Sequence, residues 1–269
     1  MIPIQKALAS DFVPMDDAKA CGDCSTSERL GFQFSFAYQP IVDIEARQIF
    51  AHEALVRGPA GEGALSVLSQ VNEANRYRFD QACRTKAIKT AALLNMQSHL
   101  SINFMPNAIY RPELCIRATL QAARQHNFPL ERIIFETVEG ERVNDGKWLA
   151  EILREYKRIG FLTAIDDFGA GYAGLNLLAD FQPDIIKLDM ELVRRIDQLP
   201  ARQAIVRGVS RICEELGIRV LAEGVETVDE CLCLQDMGVK LMQGYLFAKP
   251  LFETCGQKDS IHWPPALRA

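Results

Sequence analysis

Asp166 and Asp167 are adjacent carboxylates that close the apolar run "FLTAI" and lead straight into the glycine-rich stretch "FGAGYAG". Two like charges about 4 Å apart repel by about 4 kcal/mol at an effective dielectric near 20. The pair therefore calls for a cation. Other apolar runs end in the same way. They deliver Glu53, Asn103, Glu136 (with Glu139 just beyond), Lys187, Glu223 (with Glu226) and Gln243 at or near their C-terminal ends. Any one of these reads equally well as a strand terminus meeting solvent, and for Glu226 or Asp189 alone that reading is at least as good. As a set they carry several carboxylates to one place, which requires protonation or metal. An all-oxygen ligand set with an amide and neither Cys nor His suits a hard cation, Mg²⁺ or Mn²⁺. The ligands suffice for two metals, with Asp166 and Asp167 placed to share or divide them. Such a pair clamps a phosphoryl centre for in-line attack by water. Lys187 and Arg57 are the cations placed to meet phosphate charge.

The elements that must position these residues follow from hydrophobic periodicity. Strand candidates are "SFAYQPIVDI", "IFAHEALVR", "HLSINFM", "RIIFETVE", "FLTAIDDF", "DIIKLD", "RVLAEGVE" and "KLMQGYLF". Between them, "RFDQACRTKAIKTAALLNM", "CIRATLQAARQHN" and "WLAEILREYKRIG" repeat apolar residues with helical period. Asn127, Gly160, Gly217 and Gly238 stand where helix C-caps are expected. The first two strands are too close for a crossover helix and read as a hairpin. The rest alternate strand and helix, which implies parallel pairing with right-handed crossovers. The reading is an α/β protein, a (β/α)8 barrel of the TIM type, whose strand ends share one catalytic face. An open doubly wound sheet is the alternative.

The chain has 269 residues, a formal net charge of −5 and 48% hydrophobic residues. The acidic balance argues against DNA as a partner. No apolar run reaches the roughly 18 residues of a membrane span, and the start lacks a secretory signal, so a cytoplasmic protein is expected. The eight cysteines are scattered and read as reduced thiols. "CGDC" at Cys21–Cys24 lacks partner ligands for zinc and reads as having no essential role. His52 is expected to point away from Glu53 by strand alternation.

Taken in order, "EALVR", "INF", "FETVE", "DDFGAGY", "KLD", "AEGVE" and "QGYLF" resemble the motifs of EAL domains, over residues 34–253. That family consists of bacterial phosphodiesterases that hydrolyse cyclic di-GMP to linear pGpG with Mg²⁺ or Mn²⁺. The resemblance implies a modified barrel with one antiparallel strand and two metals per site. It implies Glu53, Asn103, Glu136, Asp166, Asp167 and Glu223 as metal ligands, with Asp167 and Glu223 also at the catalytic water. Lys187 would orient that water and assist proton transfer. Gln39, Arg57 and Gln243 would contact substrate or order the site, and Glu139 would anchor the loop after the Asp pair. A homodimer is implied too, and Ca²⁺ is expected to inhibit. The loop departs from the family's DDFGTGYSSL at Ala170, Ala173 and Gly174, and Val138 stands where Thr is common. No expected metal ligand is lost. The expected organisation is an extension over 1–33, the barrel over 34–255 and a tail over 256–269. A non-hydrolysing cyclic di-GMP receptor or protein-interaction module is the competing function.

Overall fold

The segments "SFAYQPIVD" and "QIFAHEALVR" are joined by a tight turn in which the Asp43 carboxylate accepts the N–H groups of Glu45 and Ala46, at 3.0 and 2.9 Å. Aspartate favours such turns because its side chain can stand in for a backbone acceptor. In the computed structural model, which describes residues 30–106, 109, 115–138, 146–169 and 174–267, they form the antiparallel hairpin β1 (Ser35–Asp43) and β2 (Gln48–Arg57). Six parallel strands follow: β3 (His99–Asn103), β4 (Ile133–Val138), β5 (Leu162–Phe168), β6 (Ile185–Leu188), β7 (Arg219–Ala222) and β8 (Leu241–Met242). β2 pairs parallel with β3, and β8 pairs antiparallel with β1, so the sheet closes on itself. The result is the eight-stranded α/β barrel expected, with β1 running against its neighbours.

The described helices are α1 (Leu65–Leu68), α2 (Arg76–Leu93), α3 (Arg117–Gln125), α4 (Gly146–Ile159), α5 (Gly174–Asp180), α6 (Met190–Val193), α7 (Pro200–Leu216) and α8 (Val228–Asp236). The four expected cap residues all take left-handed backbone, with φ of 53° at Asn127, 110° at Gly160, 71° at Gly217 and 84° at Gly238. Each turns the chain out of a helix while satisfying its last carbonyls.

Two differences from the sequence reading stand out. The last two barrel strands stop sooner than their apolar runs. Beyond Ala222 and Met242 the backbone bonds loop to loop instead, with Val225 N donating to Gln243 O at 3.0 Å and Leu246 N to Val225 O at 3.1 Å. A short ninth strand, β9 (Leu251–Phe252), lies antiparallel on β1. Two residues carry no periodicity that could announce it.

The core has two parts. The larger lies between strands and helices. The smaller fills the barrel interior with Ile41, Ala51, Ile134, Ala164, Ile185, Leu221 and Leu241. Residues 256–267 pack on the barrel through buried Ile261 and Leu267, and Arg47 donates to the Leu267 carbonyl at 3.1 Å. The six described cysteines are free thiols. Among the described residues, no helix is long and apolar enough to cross a membrane.

Candidate active site

Side chains alternate between the two faces of a strand, so residues two apart share a face. Two residues beyond each apolar member of the interior plug, on the same face, comes a polar side chain. Ala51 leads to Glu53, Ile134 to Glu136, Ala164 to Asp166, Ile185 to Lys187, Leu221 to Glu223 and Leu241 to Gln243. On β1, which runs the other way, Gln39 lies two residues before Ile41. The barrel is dry below and ionisable immediately above.

Lys187 sits at the centre of that layer, 1% exposed. Its ammonium lies 2.8 Å from Glu223, 3.0 Å from Glu136, 3.1 Å from Asp166 and 3.6 Å from Glu53. Amides hold Glu53 from both sides. Asn103 donates to its Oε1 at 3.1 Å and Gln243 to its Oε2 at 2.9 Å. Gln39 faces Glu53 across the hairpin and donates to the Ala248 carbonyl at 3.3 Å. Glu136 accepts a short hydrogen bond from Ser101, which the sequence reading did not single out. Its signal was there: Ser101 precedes Asn103 by two on the same interior face.

Burial drives the titration of this layer. It pushes the Glu136 carboxyl up to about 8, against the opposing pull of Lys187. Burial also raises Glu223 well above the usual carboxylate range. It raises Asp167 too, with Asp166 and Asp189 adding repulsion. Burial alone would lower Lys187, but the surrounding carboxylates overcome it and hold the ammonium well above its ordinary value.

The Asp pair resolves by a break in the sheet. The β5–β6 register shifts between Ile165 and Phe168, and Asp167 takes left-handed backbone at φ 54°. A bulge of this kind lets successive residues escape strict alternation. Both carboxylates thereby serve one site. Glu53, Glu136 and Asp166 offer oxygens within 4.8 Å of one another, and so do Asp166, Asp167 and Glu223. Asp166 belongs to both groups. Gly169 follows at φ 101°, where a Cβ would also meet Leu192 at 2.6 Å. The donors fit hard divalent cations: they are all oxygen and crowded beyond what one lysine neutralises.

The other expected residues lie farther out. Arg57 ends β2 and its guanidinium donates to its neighbour's carbonyl, Val56 O, at 2.8 Å. Asp189 caps α6 by accepting Glu191 N at 2.8 Å, and Glu226 pairs with exposed Arg194 at 3.6 Å. His52 points into the wall, as alternation required, meeting Ser98 at 2.8 Å and the Gly256 carbonyl at 3.1 Å. Glu139, Ala170, Ala173, Cys21 and Cys24 lie outside the described residues.

The chain is thus a closed α/β barrel with one antiparallel strand and an acidic mouth centred on lysine. The family model for the EAL domain matches residues 27–250, and the chain belongs to that family. Among solved structures, it resembles a standalone versatile EAL protein from Vibrio cholerae O395 in its c-di-GMP bound form. The identity is 53% and the TM-score 0.83, covering 88% of this chain and 98% of that one. It also resembles Klebsiella pneumoniae BlrP1 in a manganese/cyclic di-GMP complex, at 37% identity and TM-score 0.78, over 83% of this chain and 57% of the other. Among curated relatives, the blue light- and temperature-regulated antirepressor BluF of Escherichia coli K12 is 32% identical over 94% of this chain. The cyclic di-GMP phosphodiesterase PdeR, from the same strain, is 35% identical over 50% of it. The chain spans less than two thirds of both relatives, 62% of BluF and 20% of PdeR.

Proposed function

We propose that this chain hydrolyses cyclic di-GMP to linear pGpG with two divalent cations, Mg²⁺ or Mn²⁺, at the mouth of the barrel. The observation that carries the reading is the pair of carboxylate trios sharing Asp166. Glu53, Asn103, Glu136 and Asp166 would hold one cation, and Asp166, Asp167 and Glu223 the other. When bound, such ions supply Lewis acidity toward phosphate oxygens and toward water.

The chain's own groups do the rest. Lys187 is fixed as an ammonium among buried carboxylates, where it donates hydrogen bonds that orient the attacking water while a carboxylate takes the water's proton. Glu223, raised by burial and by the charge of Asp166 and Glu53, becomes ionised once cations neutralise those neighbours and accepts the proton of the same water. Amide donors from Asn103 and Gln243 hold both oxygens of Glu53 in place. Gln39, opposite Glu53 in the polar layer, and Arg57, at the end of β2, contact the substrate or order the site. The relatives whose names carry cyclic di-GMP support this substrate. A cytoplasmic homodimer, with Glu139 anchoring the loop after Asp167, completes the proposal.

The test is conversion of cyclic di-GMP by the purified protein in Mg²⁺ or Mn²⁺, followed by chromatography of pGpG. Glu53→Ala should abolish product, and replacing the metal with Ca²⁺ should suppress it, since a larger ion with looser coordination misplaces water. Tight binding without product in either metal would sink the enzyme reading. It would favour instead an interaction module, the reading to which the antirepressor name of BluF gives weight.

A further inference from the structure

Behind β3 and β4 lies a second set of ionisable groups that the site does not use. Asp80 and Arg84 on α2 are 2% and 0% exposed and form a short, buried ion pair. Arg84 also donates to the Tyr156 hydroxyl on α4 at 2.9 Å, while its Nε finds no partner. Its guanidinium lies 5.7 Å from the Phe104 ring, 5.5 Å from Phe135 and 5.9 Å from Tyr156. The other Asp80 oxygen accepts the backbone N–H of Met105 at 2.9 Å.

A buried ion pair contributes little net stability over a well-packed apolar replacement. An unpaired guanidinium N–H in the core subtracts from that little. What the network touches is more telling than its energy. Phe104 follows Asn103 and Phe135 precedes Glu136, each on the opposite face of its strand. Asn103 and Glu136 are register partners, and Phe104 N donates to the Glu136 carbonyl at 2.9 Å. One rung of the sheet thus carries two site residues inward and is gripped outward by a charged, aromatic clamp. Asn103 is itself exposed at the strand end, so its own packing cannot fix it.

We propose that Asp80, Arg84 and Tyr156 are positioning residues, holding the β3–β4 rung so that Asn103 and Glu136 meet the inner cation in the right place. The inference rests on the reading of those two as metal ligands. It places the outer support of the site on α2 and α4 and makes the buried charge a device for geometry. Groups that orient ligands from behind typically matter by tenfold to a hundredfold in metal affinity, roughly.

The decisive variant is the double substitution Asp80→Leu with Arg84→Met, which removes both charges together and the acceptor for Met105. It should keep the far-ultraviolet spectrum of the parent. Mn²⁺ affinity, read by electron paramagnetic resonance without nucleotide, should fall by about tenfold or more. Amide exchange over 99–106 should quicken while β6 and β7 keep their protection. Asp80→Asn with Arg84→Met retains an acceptor for Met105 and should recover part of both losses. Unchanged Mn²⁺ affinity with unchanged local exchange would overturn the proposal, as would protection lost evenly around the barrel. If the parent binds no Mn²⁺, the metal reading fails and the positioning of ligands falls with it; a parent that binds Mn²⁺ beside a variant of unchanged affinity and unchanged exchange overturns this proposal alone. Should the Leu/Met protein not fold, the Asn/Met protein and Tyr156→Phe are judged by the same two readouts.

Discussion

Lys187 is the one ammonium within reach of Glu53, Glu136, Asp166 and Glu223 among the described residues. Breaking a buried charge cluster by removing one partner typically costs about 3–5 kcal/mol, because the remaining charges stay buried. Lys187→Met should therefore destabilise the metal-free protein by about that much. Divalent metal should restore more to the variant than it adds to the parent, since it supplies the missing positive charge. Thermal melts in chelator and in Mn²⁺ test this; equal metal-induced gains in both proteins would refute it. At this scale the sequence was highly legible. Acids, amides and a lysine at the ends of apolar runs are unusual enough to announce themselves, and the fold brings Glu53, Asn103, Glu136, Asp166, Lys187, Glu223 and Gln243 together. Ser101 escaped because serine inside a strand is unremarkable, and the left-handed backbone of Asp167 escaped because it depends on a register shift between strands. Asp80 and Arg84 escaped for a related reason: an i, i+4 ion pair on a helix normally faces water.

Elements carry the site through their loops as much as through their strands. The motifs "AEGVE" and "QGYLF" are distant in sequence but interlock where β7 and β8 end. A Cβ on Gly244 would fall 2.0 Å from the Val225 carbonyl oxygen, so only glycine permits the approach. Gly244→Ala must push the two loops apart and drag Gln243 from Glu53. A loss of about 2 kcal/mol or more is expected, in the range of strained or overpacked core sites, together with loss of turnover. Denaturant unfolding and product assays check both halves. Glu230, 4% exposed on α8, serves the same loops. Its carboxylate accepts the N–H groups of Arg195 at 2.7 Å, Glu226 at 3.0 Å and Thr227 at 3.1 Å. Glu230→Ala strands these donors and should cost about 3 kcal/mol, read as a shift in the unfolding midpoint; an unchanged midpoint would refute that role. Periodicity could place β7 and β8 but not end them. Apolar character continues through Val225 and Phe247, both buried, although the backbone has already left the sheet. Burial and strand pairing part company there, and sequence reports only the first.

For the whole molecule, His52 couples barrel closure to acidity. It joins β2 to Ser98, just before β3, and to Gly256 in the C-terminal segment. A carbonyl can only accept, so Nε2 carries a proton, and the lowered pKa leaves the ring neutral near pH 7. Burial lowers its pKa from 6.5 to about 4, the Gly256 bond opposing only in part. Between those values the unfolded chain binds a proton that the folded one does not, so stability rises with pH. His52 thus favours the fold fully above about 6.5 and loses that contribution as pH falls toward about 4, a change of up to ~3 kcal/mol. The raised carboxyls act in the opposite sense, since Glu136, at about 8, binds its proton more readily when folded. A single pH profile mixes these signs, and a comparison separates them. His52→Gln keeps a donor for the Gly256 carbonyl but cannot titrate. Urea unfolding of both proteins between pH 7.5 and pH 4.5, roughly the window of the shift, should show the parent losing more stability than the variant on acidification. Parallel profiles would mean that the neutral imidazole contributes nothing specific to closing the barrel.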